Sequence, residues 1–119
     1  MIDFGTGVEG SFVVKTRINE QDVYAKVRLT VCKMLLPRID LDLNGFGRRE
    51  TTIRFAADYF YDHYGERGGL KITMLELGEN DTDEDEVVIF FAVVQALYQA
   101  LGKVCHLTID EAGNFVVPR

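Results

Sequence analysis

Two segments near the start of the chain alternate between apolar and polar side chains. In residues 11–18, and again in residues 23–31, most apolar side chains fall on every second position. A period of two over this length is typical of half-buried β-strands. The polar segment 19–22 between them is short enough to form the loop of a hairpin. The pattern therefore predicts a β-hairpin with one buried and one exposed face.

The exposed face of this hairpin is rich in cationic side chains. If Glu20 and Gln21 form a two-residue loop, the apolar side chains of both strands fall on one face, which favours that register. Like charges directly opposite each other cost stability, and such a face would suit an acidic partner. The predicted partner-binding residues on it are Lys15, Arg17, Tyr24, Lys26 and Arg28, with Lys15 opposite Lys26.

The rest of the chain shows four further changes of period. Apolar residues at helical spacing predict an amphipathic first helix, and further alternating stretches predict strands. The predicted elements are a strand over 38–44, a helix over 51–64, a strand over 70–77, a helix over about 83–101 and a closing hairpin from 104–109 and 115–117.

This order is β-β-β-α-β-α-β-β, with strands running before helices. We expect a two-layer α+β fold, in which an antiparallel-rich sheet carries both helices on one face. The length of 119 residues predicts one domain over residues 1–119.

The second predicted helix is apolar almost all round, with a thin polar line through Gln95 and Gln99. Such a helix is either enclosed within its own domain or covered by a second chain. Self-association therefore stays open as one interpretation.

Charge and composition narrow the classes of function. Residues 1–49 carry a net charge of +2 and residues 50–119 one of −8, together −6, and a net negative chain disfavours nucleic acid as a partner. Cys32 and Cys105 lack metal-ligand spacing, and we expect no metal and no cofactor. The start of the chain lacks the pattern of a secretory signal and no apolar run is long enough to span a membrane, which predicts a cytoplasmic protein without a membrane partner.

The acidic stretch 79–86 precedes the second helix and is a second candidate for partner binding. Alternate aspartates resemble the first half of a calcium loop, but Glu86 stands where that loop needs Gly, and Ala92 where it needs Glu. The stretch is thus better explained as a solvated acidic surface. Its candidate residues are Asp81, Asp83 and Asp85.

An anion site and an aromatic pocket are the candidates for small-ligand chemistry. Backbone N–H groups at a helix start, together with guanidinium groups, can hold phosphate or carboxylate, although Glu50 places a negative charge at the same point. The anion-binding candidates are Gly45, Gly47, Arg48 and Arg49, and the pocket would be lined by Tyr59, Tyr61, Tyr64 and His63.

Common catalytic fingerprints are absent from the sequence, and we assign no catalytic residue. The favoured hypothesis is a non-enzymatic protein-interaction module that forms a homodimer or binds a charged protein partner, as an inhibitor or immunity protein does. In one version the acidic stretch meets the hairpin face of another chain; in another it mimics nucleic acid. The alternative is a small-ligand-binding or enzyme domain, and a nucleic-acid reader is the weakest hypothesis.

Overall fold

A computed structural model describes residues 7–64, 68–80, 85–103, 105, 107–110, 112 and 114–116. Its elements follow the predicted order and confirm the α+β class. They are β1 (Val8–Ile18), β2 (Gln21–Met34), β3 (Ile39–Asp42), a short 3-10 helix (Gly47–Arg49), α1 (Glu50–Tyr64), β4 (Gly69–Glu79), α2 (Asp85–Ala100), β5 (Thr108–Ile109) and β6 (Phe115–Val116).

The four long strands form one sheet in the order β1-β2-β4-β3, and β5 pairs with β6 in a separate hairpin. The β1–β2 and β2–β4 pairings are antiparallel, as the sequence predicted for most of the sheet. β3 and β4 run parallel because α1 returns the chain between them, which a parallel pair requires. The apolar face of this sheet packs against both helices.

The turn of the first hairpin lies one residue earlier than predicted. Asn19 and Glu20 have φ values of 51° and 67°, and left-handed backbone at both central residues is what a type I′ turn requires. Ile18 therefore pairs with Gln21, and the predicted register is wrong by two positions. An even shift keeps every side chain on its predicted face. Its main effect is that Lys15 lies opposite Tyr24, so the predicted lysine pair does not form.

Replacing Glu20 with glycine is expected to raise the free energy of unfolding by about 0.5–1 kcal/mol, because glycine adopts the left-handed conformation without strain. Gln21→Gly, one residue further along, should destabilise the hairpin, since a glycine in a strand weakens it. Urea denaturation of both variants measures the difference. A stabilising Gln21→Gly, or a destabilising Glu20→Gly, would contradict the turn described above.

α2 is covered within its own chain. One side packs on β1 and β2 and another packs on α1. The β5–β6 hairpin adds further cover: the Gln95 Nε2 donates to the carbonyl oxygen of Leu107 at 3.1 Å, and the rings of Phe90 and Phe115 lie 5.1 Å apart. Its apolar surface therefore does not require a second chain. No helix in the described ranges is long and apolar enough to cross a membrane.

β1 comes very close to the last turns of α2. A Cβ atom built on Gly10 would collide with the carbonyl oxygen of Ala96 and lie 2.9 Å from the Cβ of Ala100. Next to it, the backbone N–H of Ser11 donates to Oε1 of Gln99 at 2.6 Å. The absence of a side chain at Gly10 is thus what allows the strand and helix to pack.

Candidate functional site

Arg49, one of the predicted anion-binding residues, is engaged inside the protein. Its side chain is 9% exposed and that of Glu79 12%. Arg49 Nε donates to both carboxylate oxygens of Glu79 at 3.0 Å, Nη2 donates to Glu79 at 2.6 Å, and Nη1 donates to Glu86 at 3.2 Å. The Glu79 hydrogen bonds raise the pKa of Arg49 against the opposing effect of burial. The guanidinium therefore already has its carboxylate partners.

The other anion-binding candidates form the connection from β3 to α1. Gly45 has a φ of 91° and follows Asn44, which is also left-handed, so the pair turns the chain. Gly47 and Arg48 begin the 3-10 helix that leads into α1, and Arg48 is exposed. The structure thus separates Arg48 on the surface from Arg49 in the interior.

Asp85 is fully buried, which differs from the exposed acidic surface that the sequence predicted for it. It accepts a hydrogen bond from the N–H of Asn80 at 2.7 Å and another from the N–H of Tyr24 at 3.4 Å. The pairing of β2 with β4 ends at Ala25 and Glu79. The N–H groups of Tyr24 and Asn80 lie just beyond this last pair, so they need an acceptor other than the neighbouring strand. Asp81 and Asp83 lie outside the described residues.

The outer face of the sheet carries carboxylates that offset part of its predicted basic charge. Lys26 Nζ lies 3.2 Å from Glu76, and Arg28 lies 3.4 Å from Glu9 and 3.5 Å from Glu76. A bulge in β4 brings Glu76 to this face, because Leu29 pairs with Met74 whereas Arg28 pairs with Glu76. Lys26 and Arg28 are therefore compensated by carboxylates of the same face.

The structure brings three predicted residues, Lys15, Arg17 and Tyr24, together at the end of the β1–β2 hairpin. They line an open groove of about 760 Å³ that reaches Asn80 at the end of β4. Arg17 Nε lies 3.3 Å from Asp22, whereas no carboxylate among the described residues pairs with Lys15. The remaining lining residues in the described part of the chain are Thr16, Asp22 and Val23.

The predicted aromatic and histidine groups bind one another or the backbone. The His63 ring stacks on Tyr59 with centroids 4.1 Å apart, and its Nδ1 lies 2.8 Å from the Tyr59 carbonyl oxygen. The Tyr61 hydroxyl donates to the carbonyl oxygen of Gly68 at 2.6 Å. The side chain of Tyr64 lies outside the described part. These contacts do not gather Tyr59, Tyr61 and His63 around one pocket.

The remaining nucleophilic groups in the described ranges include two cysteines and a partly buried tyrosine hydroxyl. Cys32 and Cys105 are half-buried and form no disulfide with each other. Burial raises the pKa of the Tyr98 hydroxyl, with smaller contributions from Cys105 and Tyr59. No group of three or more His, Cys, Asp or Glu residues in these ranges could hold a metal ion.

The fold described above has a counterpart among solved structures. No model of a known protein family and no curated protein matches the chain. The chain is similar to the crystal structure of ttk003000868 from Thermus thermophilus, with a TM-score of 0.66 and 11% sequence identity, over 83% of this chain and 16% of that chain. It thus spans about a sixth of that protein's length. At this identity the likeness shows a shared fold alone.

Proposed function

We propose that this chain is a non-enzymatic protein-interaction domain, acting in the cytoplasm, that binds an acidic and extended segment of a protein partner. The proposed site is the groove lined by Lys15, Arg17 and Tyr24, which we call the hairpin groove. The observation that carries the proposal is the coincidence of cationic side chains, an aromatic ring and a concave surface at one end of the sheet.

Electrostatics favour an acidic partner at this end of the sheet. Lys26 and Arg28 face Glu76 and Glu9, whereas Lys15 has no carboxylate among the described residues. The Arg17–Asp22 pair is 71% and 84% exposed, and such a pair contributes little stability. An incoming carboxylate can therefore compete for Arg17 at small cost, while the local positive charge steers acidic partners toward the groove.

The shape of the hairpin groove favours an extended segment. It crosses from β1 to β2 and on to Asn80, where β4 has ended. The half-buried ring of Tyr24 offers an apolar surface beside the charges, and Asn80 adds an amide that can both donate and accept. A segment that alternates acidic and apolar side chains matches this combination.

A synthetic peptide of alternating glutamate and valine tests the proposal. We expect it to bind and to shift the NMR signals of the hairpin end, with an affinity that falls as salt rises. Lys15→Glu should weaken binding by about tenfold or more, because it replaces an attraction with a repulsion. Tyr24→Ala should weaken binding while leaving the salt dependence largely unchanged.

Lys71→Glu is the matched control, since Lys71 is exposed on the outer face of β4, away from the groove. It changes the net charge by the same amount as Lys15→Glu. Equal losses in the two variants would mean that only total charge matters and would refute a specific site. Failure of the peptide to bind at low salt would refute it as well.

The alternative of a small-ligand-binding or enzyme domain gains less support. The Arg49 guanidinium is held by Glu79 and Glu86, and the His63 ring is engaged by Tyr59. These groups would first have to leave their present partners before they could bind a ligand.

A further inference from the structure

β1 is an edge strand of the four-stranded sheet. Val13 is the central residue of its 11 and is 55% exposed on the outer face. An edge of this length presents a row of backbone donors and acceptors, and proteins usually cover or pair such rows. Within the described strands, β1 hydrogen-bonds to β2 alone.

Alternate residues of β1 direct their backbone groups to this edge. In a two-residue hairpin the flanking residues, here Ile18 and Gln21, exchange hydrogen bonds, and every second pair behind them does the same. Ser11 belongs to the alternating set of residues that do not bond to β2. Its N–H points away from β2 and donates to the side chain of Gln99. The other outward positions are those of Glu9, Val13, Lys15 and Arg17.

On the outer face, negative and positive side chains alternate from strand to strand, and this row of ion pairs ends at β1. Glu76 on β4 binds Arg28 on β2, and Arg28 binds Glu9 near the start of β1. Near the other end of β1, Arg17 binds Asp22. The two ends of this edge strand therefore carry charges of opposite sign, placed at equal distances from Val13.

We propose that two copies of the chain pair through their β1 edges, antiparallel and related by a two-fold axis at Val13. This register pairs β1 over its whole length and sets Glu9 of each copy opposite Arg17 of the other. The alternation of charges then continues from one sheet into the next. A register centred on Lys15 would instead set two lysines opposite each other, which is unfavourable.

The side chain of Gln99 covers part of the same edge in a single copy. It accepts the hydrogen bond of the Ser11 N–H, which in the proposed dimer is offered to the Lys15 carbonyl oxygen of the second copy. Gln99 is exposed and can be displaced without uncovering the core. The dimer thus exchanges a side-chain acceptor for a backbone one.

Sedimentation velocity over a range of protein concentrations tests this dimer. The unmodified chain is expected to dimerise. Val13→Asp places two carboxylates together at the axis and should raise the dimer dissociation constant by about tenfold or more. Val116→Asp is the matched control, because Val116 is 44% exposed on the separate β5–β6 hairpin. That control should dimerise as the unmodified chain does.

Charge reversal tests the register. Glu9→Arg should weaken the dimer, and the double change Glu9→Arg with Arg17→Glu should restore it. A chain that stays monomeric at every soluble concentration would overturn the proposal, as would a dimer insensitive to Val13→Asp or a double reversal that fails to restore pairing. Tyr24→Ala should weaken binding of the glutamate–valine peptide and leave the dimer unchanged, because Tyr24 lies on β2 and not on the β1 edge. Failure of this interface and failure of the hairpin groove can therefore be told apart.

Discussion

Replacing Glu79 with alanine is expected to lower the free energy of unfolding by about 3 kcal/mol, because it leaves the buried guanidinium of Arg49 without its main partner. Glu79 accepts hydrogen bonds from two nitrogens of Arg49, and both side chains are almost fully buried. Glu86 keeps one contact, but its side chain is 58% exposed. Urea denaturation followed by circular dichroism measures the loss.

Two further variants separate the cost of an unpaired buried charge from the value of the pair. Asp22→Ala removes the partner of exposed Arg17 and should cost less than about 0.5 kcal/mol. Combining Glu79→Leu with Arg49→Met removes both charges and should recover most of the loss, since apolar replacements of a buried pair are often neutral. If Glu79→Ala costs no more than Asp22→Ala, the Arg49–Glu79 pair does not stabilise the fold.

Replacing Gly10 with alanine is expected to destabilise the protein by about 2–3 kcal/mol, because the added methyl group forces β1 and α2 apart. The new atom would collide with the carbonyl oxygen of Ala96, a backbone atom that cannot move by a change of side-chain rotamer. The usual effect of removing a glycine has the opposite sign, a gain of about 0.4–1 kcal/mol through the unfolded chain. The sign of the measured change in unfolding free energy therefore shows whether the steric collision or the lower entropy of the unfolded chain has the larger effect.

Gly47→Ala is the control for this substitution. In the described structure no atom lies within 4 Å of the position that its Cβ would take, and its φ is not left-handed. Its effect should be close to zero or slightly stabilising. A neutral Gly10→Ala in the same denaturation experiment would mean that α2 can move away from β1 without loss of packing.

The order of elements could be predicted because burial and periodicity coincide in this chain. β2 is buried at alternate residues over most of its length, and the buried residues of α1 lie on one helical stripe. The enclosure of α2 was one of two predicted interpretations, and only the three-dimensional arrangement of β1, β2, α1 and the last hairpin decides between them.

Register and charge partners could not be predicted, since they depend on contacts between distant parts of the chain. Both Asn19–Glu20 and Glu20–Gln21 are polar pairs that place the apolar residues on one face, so periodicity does not distinguish the two turns. The bulge in β4 adds one residue beside Leu29, which changes the face on which Glu76 lies.

The candidate site was predicted in part for the same reason. Alternation correctly placed Lys15 and Arg17 on the exposed face, next to a groove that no local pattern reveals. Charged side chains are rarely buried without a partner. Asp85 was predicted to lie on a solvated acidic surface and Arg49 to bind an anion, whereas both are buried in the structure. Their partners come from other elements, and no signal within either neighbourhood of the sequence identifies them.

The hydrogen bond from the N–H of Asn80 to the Asp85 carboxylate joins the chain on both sides of residues 81–84. The same carboxylate also accepts from the N–H of Tyr24, so the first residue of α2 is tied to both β4 and β2. The position of α2 along the sheet is therefore fixed at its first residue by one buried carboxylate that joins two strands to one helix.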